Sequence, residues 1–292
     1  MTIDENHTFI AIDGGGTSCR IALEAQGKRH EVTLSAANVM TDFYGTVRTI
    51  ITGLDLLASR LSARIEDVYN VPAFIGLAGA IDSDIQTRVR QALPLTCAVI
   101  EDDRRTAVRG ALGAEDGAFA GLGTGSFFAL QQSGAIRLAG GWGARMGDEA
   151  SGFWIGRAAL KAALDVEDGL HPESPLTRDL RASIGSPGKI VELARVASPG
   201  DLARIAPQVI EALNAGDPAA VRIFASGSEY ILTTLRALGW TPSIPLVLNG
   251  GVAHAYIPYM ERATGICPQP PKGTPLDGAL DLAHEIKCRI SA

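Results

Sequence analysis

The sequence predicts an α/β protein of two domains, each of which begins with a glycine-turned β-hairpin. Two glycine turns support this prediction: DGGGT at residues 13–17 follows an apolar run, and GLGTGS at residues 121–126 follows another. After each turn the chain resumes an apolar, strand-like pattern, as expected for antiparallel strands. The length of 292 residues also lies where a single core commonly divides into two.

Alternating or short apolar runs predict the strands, and helix-period segments lie between them. The predicted strands are Phe9–Ile12, Cys19–Leu23, Glu31–Leu34, Ala73–Leu77, Ala98–Glu101, Gly117–Ala120, Phe127–Leu130 and Leu246–Leu248. The predicted helices are Tyr44–Ala63, Asp84–Leu93, Arg104–Leu112, Ser151–Leu164, Asp201–Asn214, Asp217–Leu238 and Pro275–Ile290. Asp217 and Thr274 each precede a proline, which is typical of helix starts. The proline-rich stretches Asp165–Pro175, Ser186–Gly188 and Ser198–Gly200 predict loops.

The second half of the chain restarts with a hairpin at Gly117, and this restart predicts the domain boundary. The offset of 110 residues between Gly15 and Gly125 hints at a duplicated unit. We therefore expect one domain over residues 1–115, with the helix 275–290 packing back onto it, and a second over residues 116–274.

Composition excludes several classes of protein. The chain is 46% hydrophobic and 20% charged, which is typical of a globular protein, and its net charge of −6 argues against a nucleic-acid surface. No apolar run approaches the roughly 20 residues that cross a bilayer, and the polar N-terminus does not resemble a signal peptide. The four cysteines lack metal spacing and are expected to be reduced and mostly buried. These features predict a cytoplasmic enzyme that uses neither a membrane nor a nucleic-acid partner.

The two glycine turns predict a nucleotide site. Glycine loops expose backbone N–H groups that can surround phosphate, and each turn also carries a threonine hydroxyl. Asp13 beside the first turn makes sense if Mg²⁺ accompanies the phosphate, because magnesium takes oxygen ligands. The chain contains neither a P-loop motif nor a Rossmann fingerprint, in which the glycines would lead into a helix. The residues concerned are Gly14, Gly15, Gly16, Thr17, Gly123, Thr124 and Gly125.

Three acids, Glu101-Asp102-Asp103, end a predicted strand. In α/β folds, ligands bind at the edge of the sheet where the parallel strands end. Three neighbouring carboxylates repel one another, which raises the pKa of at least one of them. A carboxylate with a raised pKa is suited to act as general base for a hydroxyl. The alternative is that these acids only cap the following helix. The residues alone do not choose between Asp102 and Asp103.

Two further glycine-rich segments suggest ligand contacts. Within the block 140–152, Trp142 could stack on a sugar and Asp148 could accept hydrogen bonds from its hydroxyls, although a loop with Asp148 as helix cap is the alternative. Gly250 and Gly251 follow a strand and open a helix, a junction that admits close approach of an adenosine.

Taken in order, these motifs resemble those of sugar kinases in the actin/hexokinase/Hsp70 superfamily. The chain is similar to the branch shared by bacterial glucosamine and N-acetylglucosamine kinases, the BadF/BadG ATPase-like group. The resemblance covers essentially the whole chain. It rests on DGGGTSCR at 13–20, SAANVM at 35–40, LAG at 77–79, Asp103, GTGS at 123–126, the 140–152 block, EDG at 167–169 with PESPLT at 172–177, and NGG at 249–251.

The resemblance implies a two-domain actin/hexokinase-like (ribonuclease H-like) fold with a central cleft. It also implies ATP and Mg²⁺ as cofactors and an amino sugar as substrate. Asp13 would hold hydrated Mg²⁺, Thr17 and Thr124 would contact phosphate, and Asp103 would be the base. Asn38, Gly79, Trp142 and Asp148 would contact the sugar.

The implied reaction is ATP-dependent phosphorylation of the 6-hydroxyl of glucosamine or N-acetylglucosamine, and the sequence does not choose between these sugars. A homodimer is compatible with the family. Two rival functions are an iron–sulfur ATPase activator of a 2-hydroxyacyl-CoA dehydratase and a non-catalytic sugar-sensing regulator. The scattered cysteines disfavour the first, and the lack of a DNA-binding segment disfavours the second.

Overall fold

Two mixed β-sheets organise the chain in the computed structural model, which describes residues 7–286. The chain divides into two compact units, with boundaries after Ala114 and after Pro271. The segment from Lys272 onward returns to the first unit.

The first unit contains a five-stranded sheet in the order β3-β2-β1-β4-β5. Its strands are β1 (Thr8–Gly14), β2 (Ser18–Ala25), β3 (Lys28–Ser35), β4 (Ala73–Leu77) and β5 (Ala98–Asp102). The first three strands form antiparallel hairpins, whereas β4 and β5 run parallel to β1. Its helices are α1 (Phe43–Leu61), α2 (Ile65–Tyr69), α3 (Ser83–Ala92), α4 (Asp103–Leu112) and α12 (Pro275–His284).

Helices cover both faces of this sheet. Ile12, Ile21 and Ile75 point to one face, where they are fully buried in the same cluster as Leu54 of α1. The other face is covered by α12, whose Ala279 packs in a cluster with Ala11, Ala22 and Phe74. Alternate residues of a strand point to opposite faces, so the apolar strand sequences bury both sides.

The second unit contains a four-stranded sheet in the order β8-β7-β6-β9. Its strands are β6 (Gly117–Leu122), β7 (Ser126–Gln132), β8 (Ala135–Gly140) and β9 (Leu246–Asn249). Its helices are α5 (Gly152–Glu167), α6 (Pro175–Ile184), α7 (Pro187–Val196), α8 (Pro199–Ala203), α9 (Ala206–Asn214), α10 (Pro218–Ala237) and α11 (Ile257–Thr264), with a short 3₁₀ helix at Ala253–Tyr256.

The two sheets share a topology: three antiparallel strands followed by a strand that pairs in parallel with the first. β4 pairs in parallel with β1, and β9 pairs in parallel with β6. The glycine turns lie at equivalent places, between β1 and β2 and between β6 and β7. The predicted hairpins are therefore confirmed, and the shared topology supports the predicted duplication.

Several predicted details were correct. The side chain of Asp217 caps α10, and Thr274 begins α12 with a capping box. In the part of the chain that the structure describes, no helix is long and apolar enough to cross a membrane. The predicted last helix ends at His284, and positions 287–290 of that prediction lie outside the described residues.

Other predicted details were wrong. The segments 186–188 and 198–200, predicted as loops, begin α7 and α8, because a serine followed by proline forms a helix N-terminus as readily as a turn. β8 was not predicted, and the predicted helix 201–214 is divided into α8 and α9.

The cysteine prediction was only partly correct. Cys19 is free and buried, whereas Cys267 is free but exposed. Cys97 is disulfide-bonded, which corrects the expectation of reduced thiols for that residue. The spacing of the cysteines along this chain did not predict that bond.

Candidate functional site

The predicted residues of the first unit lie at one edge of its sheet. β1 and β3 both pair antiparallel with β2, so they run parallel to each other, and β4 and β5 run parallel to β1. The carboxyl ends of these four strands therefore lie at the same edge. Asp13 is the penultimate residue of β1, Asn38 follows β3, Gly79 follows β4 and Asp103 follows β5. The topology thus brings together residues that are up to 90 positions apart.

The first glycine loop is held by backbone contacts on both sides. The N–H of Gly15 donates to the Ser18 carbonyl (2.9 Å) and closes the hairpin. A Cβ at Gly14 would lie 2.4 Å from the buried side chain of Leu77, so any other residue there requires that side chain to move. The tip of the loop, residues 16–17, is exposed. The base of the loop is therefore fixed, while its tip remains accessible to a ligand.

Asp13 is a half-buried carboxylate beside this loop. Burial raises its pKa, and the guanidinium of Arg20, its partner across the β1–β2 ladder, lowers it. The burial effect is the larger of the two, so the negative charge of Asp13 is only partly compensated within the protein. Such a carboxylate is suited to meet a cation.

Asn38 and Gly79 form one small structure. The Asn38 Oδ1 accepts hydrogen bonds from the N–H groups of Met40 (3.0 Å) and Thr41 (3.2 Å). Gly79 has a φ of 86°, and a Cβ there would lie 3.0 Å from the same Oδ1. The Asn38 oxygen is thus committed to its own loop, and no partner for its amide nitrogen lies among the described residues. That nitrogen is available to donate to a ligand.

Asp102 and Asp103 are distinguished by their hydrogen bonds. The Asp102 Oδ1 accepts from the N–H of Arg104 (2.9 Å) as the N-cap of α4. The guanidinium of Arg104 also donates to both Asp102 oxygens, at 2.6 and 3.1 Å. The carboxylate of Asp103 has no such bond to another residue in the described part of the chain. The capping role predicted for this acid cluster is therefore filled by Asp102.

The environment of Asp103 raises its pKa to about 7. Burial is the main cause, and the negative charges of Asp102 and Asp13 add to it. Because the charge of Asp13 acts on Asp103, the two carboxylates are electrostatic neighbours at the sheet edge. A carboxylate with a pKa near neutrality can accept a proton from a hydroxyl.

In the second unit, the N-terminus of α5 holds the second glycine loop. The N–H of Gly152 donates to the Gly123 carbonyl (2.8 Å), and the N–H of Phe153 donates to the Thr124 carbonyl (3.1 Å). Within the loop, the N–H of Gly123 donates to the Gly125 carbonyl (3.0 Å). The carbonyl groups of this loop thus accept hydrogen bonds from backbone N–H groups of the protein itself.

Gly250 and Gly251 pack beside the same loop. Gly250 has a φ of 116°, and a Cβ there would overlap the carbonyl of Leu122 at the end of β6. The N–H of Val252 donates to that same carbonyl (3.2 Å). The two glycine motifs predicted to bind nucleotide in this unit are therefore neighbours.

These motifs border a largely apolar cavity of about 600 Å³. Its lining includes Gly123, Thr124 and Gly251 of the glycine motifs and the apolar residues Ala206 and Ile210 of α9. Its other lining residues are Gly152, Ala203, Pro207, Glu211, Val252 and His254. Sequence reasoning did not find the contribution of α9, because its apolar positions resemble those of any core helix.

Asp148 is also attached to the second glycine loop. It is only 8% exposed, and its Oδ1 accepts from the N–H of Ser126 (3.1 Å). A Cβ at Gly125 would lie 2.9 Å from its carboxylate. Burial raises the pKa of Asp148, the Ser126 hydrogen bond lowers it, and the charge of Glu149 raises it further. Asp148 does not cap α5, because Ser151 performs that function.

Trp142 directly precedes a turn at residues 143–147. The N–H of Gly147 donates to the Gly143 carbonyl (2.9 Å) and closes this turn, and the Trp142 side chain is 71% exposed. The ring therefore does not belong to the core. It is available for stacking on a ligand, and the alternative of a plain surface loop remains open.

Comparisons with known proteins identify relatives over most of the chain. The model of the BadF/BadG/BcrA/BcrD ATPase family matches residues 10–266. The chain is 26% identical to the glucosamine kinase of Vibrio cholerae serotype O1 over 279 residues, which are 94% of this chain and 95% of the relative. It is 27% identical to an N-acetylmuramic acid/N-acetylglucosamine kinase of Clostridium acetobutylicum over 179 residues, 59% of this chain and 58% of the relative.

Solved structures are similar over the full length. A Chromobacterium violaceum protein assigned as an N-acetylglucosamine kinase has a TM-score of 0.79 at 28% identity, with 97% of this chain and 100% of that chain covered. A glucokinase of Streptomyces griseus has a TM-score of 0.55 at 18% identity, with 95% and 99% covered, and so shares the fold. The predicted α/β fold of the actin/hexokinase type is therefore confirmed.

Proposed function

Because the chain belongs to the BadF/BadG/BcrA/BcrD ATPase family, we propose that it is an ATP-dependent amino-sugar kinase. The acceptor is the 6-hydroxyl of glucosamine or N-acetylglucosamine. The observation that supports this most strongly is Asp103, a half-buried carboxylate with a pKa raised to about 7 at the ligand-binding edge of the sheet. Similarity to the V. cholerae glucosamine kinase over 94% of the chain gives the substrate class.

In this proposal Asp103 is the general base. Its carboxylate accepts the proton of the sugar hydroxyl as the oxygen attacks the terminal phosphorus of ATP. The bond between that phosphorus and the bridging oxygen breaks, and ADP leaves. Phosphoryl transfer depends mainly on positioning and charge neutralisation, so the protein needs little covalent chemistry of its own. Asp102 supports Asp103 indirectly, since its cap and its ion pair with Arg104 fix the first turn of α4.

Asp13 is the residue that fits Mg²⁺. Among residues 7–286 no cluster of three or more His, Cys, Asp or Glu side chains could hold a metal ion. In this proposal a magnesium ion would be held by the Asp13 carboxylate together with water and substrate phosphate, which is a usual arrangement for this ion. When bound, Mg²⁺ neutralises charge on the phosphates. The partly compensated charge of Asp13 suits this role.

The cavity of the second unit fits the nucleotide. Its apolar side would hold the adenine, and its glycine-rich side would place Gly123 and Thr124 near phosphate, with Gly250 and Gly251 beside the ribose. In the first unit, Gly14, Gly15, Gly16 and Thr17 form the other phosphate-binding loop of the proposal. Glycine permits close approach of the backbone to phosphate at both loops.

The proposed sugar contacts are Asn38, Gly79, Trp142 and Asp148. The Asn38 amide nitrogen is available to donate, and Gly79 packs directly against Asn38 and Met40. The Asp148 carboxylate would accept from hydroxyls, and Trp142 would cover an apolar sugar face. A cytoplasmic location and a homodimer are further parts of the proposal.

A coupled assay of ADP release tests the function directly. Purified protein is assayed with MgATP and glucosamine, N-acetylglucosamine, N-acetylmannosamine or glucose, and the product is analysed by NMR to locate the phosphate. We expect an amino sugar to be preferred and the phosphate to be on O6. The Asp103→Asn protein, purified in parallel, controls for contaminating kinases. ADP release that is independent of sugar, together with bound iron, would favour the activator function, and sugar binding without ADP release would favour a regulator.

A further inference from the structure

Glu211 of α9 lines the cavity of about 600 Å³ in the second unit, to which the proposed function assigns the nucleotide. We call it the nucleotide cavity. In the part of the chain that the structure describes, Glu211 is the one carboxylate of the lining, which is otherwise apolar or glycine apart from Thr124 and His254. Small-molecule sites of this kind use a few polar groups to fix the orientation of the ligand and its identity. The proposed function as stated names no residue that reads the edge of the nucleobase.

The direction of α9 places Glu211 at the end of the nucleotide cavity that is remote from the second glycine loop. Gly152, whose N–H donates to that loop, lies against Ala203, since a Cβ at Gly152 would be 3.3 Å from the Ala203 Cβ. From there α9 follows the cavity, because Ala206, Ile210 and Glu211 all line it. Glu211 is five residues beyond Ala206, which corresponds to about 7.5 Å along a helix axis.

The other two polar side chains of the lining lie toward the glycine motifs. Thr124 belongs to the second glycine loop itself. His254 closely follows Val252, whose N–H donates to the Leu122 carbonyl just before that loop (3.2 Å). If the phosphates of the nucleotide lie at the glycine loop, its base extends toward the remote end, where Glu211 is the polar group. Adenine carries its 6-amino group on the side of the ring system away from the bond to ribose.

The carboxylate of Glu211 is available to a ligand. The residue is exposed, and within residues 7–286 its side chain forms neither a hydrogen bond nor an ion pair. It also lines an adjoining cavity of about 450 Å³, to which Gln208 of the same helix contributes. An ionised carboxylate can only accept hydrogen bonds. It therefore attracts the 6-amino group of adenine, whereas guanine and hypoxanthine have an oxygen at that position.

We propose that Glu211 selects the nucleobase by accepting a hydrogen bond from the 6-amino group of adenine. The inference rests on the proposed kinase function and deepens it, because it names the residue that distinguishes ATP from other nucleoside triphosphates.

A matched pair of nucleotides provides the test. ATP and purine riboside 5′-triphosphate differ only by the 6-amino group, and isothermal titration with Mg²⁺ and without sugar measures the affinity for each. We expect the unaltered protein to bind ATP about fivefold or more tightly, as for a hydrogen bond to a charged group. Glu211→Ala should abolish this preference by weakening ATP binding, while the affinity for purine riboside triphosphate stays within about twofold. Alanine is a strong helix former, so α9 should persist in this variant.

Gln208→Ala is the control variant, because Gln208 lies one turn earlier on α9 and lines only the adjoining cavity. It should keep the preference for ATP. An equal loss of affinity for both nucleotides in Glu211→Ala would indicate a contact with the ribose that they share, and tighter binding of GTP than of ATP would indicate a contact with the guanine edge. Either result would overturn the inference.

An assay of sugar-dependent ADP release, run in parallel, separates this inference from the proposed function. Phosphorylation of an amino sugar by a protein that does not distinguish the two nucleotides would overturn the role of Glu211 and leave the kinase proposal standing. The expected preference in binding, together with no sugar-dependent release of ADP, would support the role of Glu211 and count against the kinase.

Discussion

Asp102 and Asp103 are adjacent in the chain, but only Asp102 is neutralised by its surroundings. The Asp102 carboxylate caps α4 and pairs with the Arg104 guanidinium at 2.6 Å. Asp103 is the first residue of that helix, and its pKa is raised to about 7 by burial and by the charges of Asp102 and Asp13. One acid thus orients the helix while the next remains able to exchange a proton.

The first prediction concerns this pair of acids. Asp103→Asn keeps the size of the side chain but cannot accept a proton, so kcat should fall by roughly 10²–10⁴, about 2.7–5.5 kcal/mol of barrier. Steady-state kinetics with both substrates would measure this, and calorimetry should show that both substrates still bind.

Asp102→Asn is the matched control for this experiment. Asparagine caps helices about as well as aspartate, so α4 should persist and kcat should stay within a few-fold of normal. If the Asp103→Asn protein has normal kcat and the Asp102→Asn protein is inactive, the base is Asp102 and not Asp103.

The second prediction is the pH dependence of kcat/KM. A general base acts in its deprotonated form, and the pKa of Asp103 in the free protein is raised to about 7. Activity should therefore rise about tenfold per pH unit below pH 7 and level off above it. The profile is measured with the sugar varied at saturating ATP. The residual activity of Asp103→Asn should lack this limb, and persistence of the limb would contradict the assignment.

The third prediction concerns the metal. Asp13→Asn keeps the shape of the side chain while removing the charge proposed to meet Mg²⁺. MgATP binding should weaken at least tenfold, whereas binding of ATP in EDTA and binding of sugar should change little. Isothermal titration of the variant under the two conditions measures the difference. Unchanged affinity for MgATP would show that Asp13 has another role.

The sequence predicted the two glycine-turned hairpins and several helix caps, which are local features. Glycine turns flanked by apolar runs specify their own hairpins, and Asp217 and Thr274 cap helices through contacts a few residues away. The order of strands and helices then predicted the fold class. In the structure, Asp13 and Asp103 lie at the same edge of the first sheet.

Features that depend on side-chain conformations or on distant contacts could not be predicted. The choice between Asp102 and Asp103 depends on the rotamer of Arg104, which no spacing reveals. The cavity beside Thr124 depends on α9, whose sequence is that of an ordinary packed helix. Ser198-Pro199-Gly200 begins a helix because its capping box forms, although its composition equally suits a turn.

The fourth prediction tests the proposed sugar contacts of the second unit. Asp148 has a φ of 65° and accepts from Ser126, so alanine would strain the backbone and leave a donor unpaired. Asp148→Asn avoids both effects and removes only the charge. The KM for sugar should rise about tenfold, equivalent to about 1.4 kcal/mol, while the KM for ATP stays within about twofold.

Trp142→Ala should also weaken sugar binding without lowering the melting temperature, because the indole is 71% exposed. Met146→Ala is its control, since Met146 lies in the same loop and is 81% exposed. If the two alanine variants have the same KM for sugar as the unaltered protein, the loop is not a wall of the sugar site.

The final prediction separates two neighbouring glycines of the proposed nucleotide site. Gly250 has a φ of 116°, and a Cβ there would overlap the Leu122 carbonyl at the end of β6. Gly250→Ala must therefore shift the backbone at this point, where the Val252 N–H donates to the same carbonyl. A Cβ at Gly251 would meet no other atom within 4 Å, and the φ of Gly251 is not positive, so Gly251→Ala should fold normally.

The two variants should therefore differ in stability but share a defect in ATP binding. Gly250→Ala should lower the free energy of unfolding by at least about 1–3 kcal/mol, the usual cost of strained backbone, as measured by urea denaturation. Gly251→Ala should keep normal stability and yet weaken ATP binding, because its new methyl group projects into the cavity that Gly251 lines. Normal ATP affinity in a stable Gly251→Ala protein would place the nucleotide elsewhere, whereas equal stability of the two variants would show that the backbone at Gly250 can relax around a side chain.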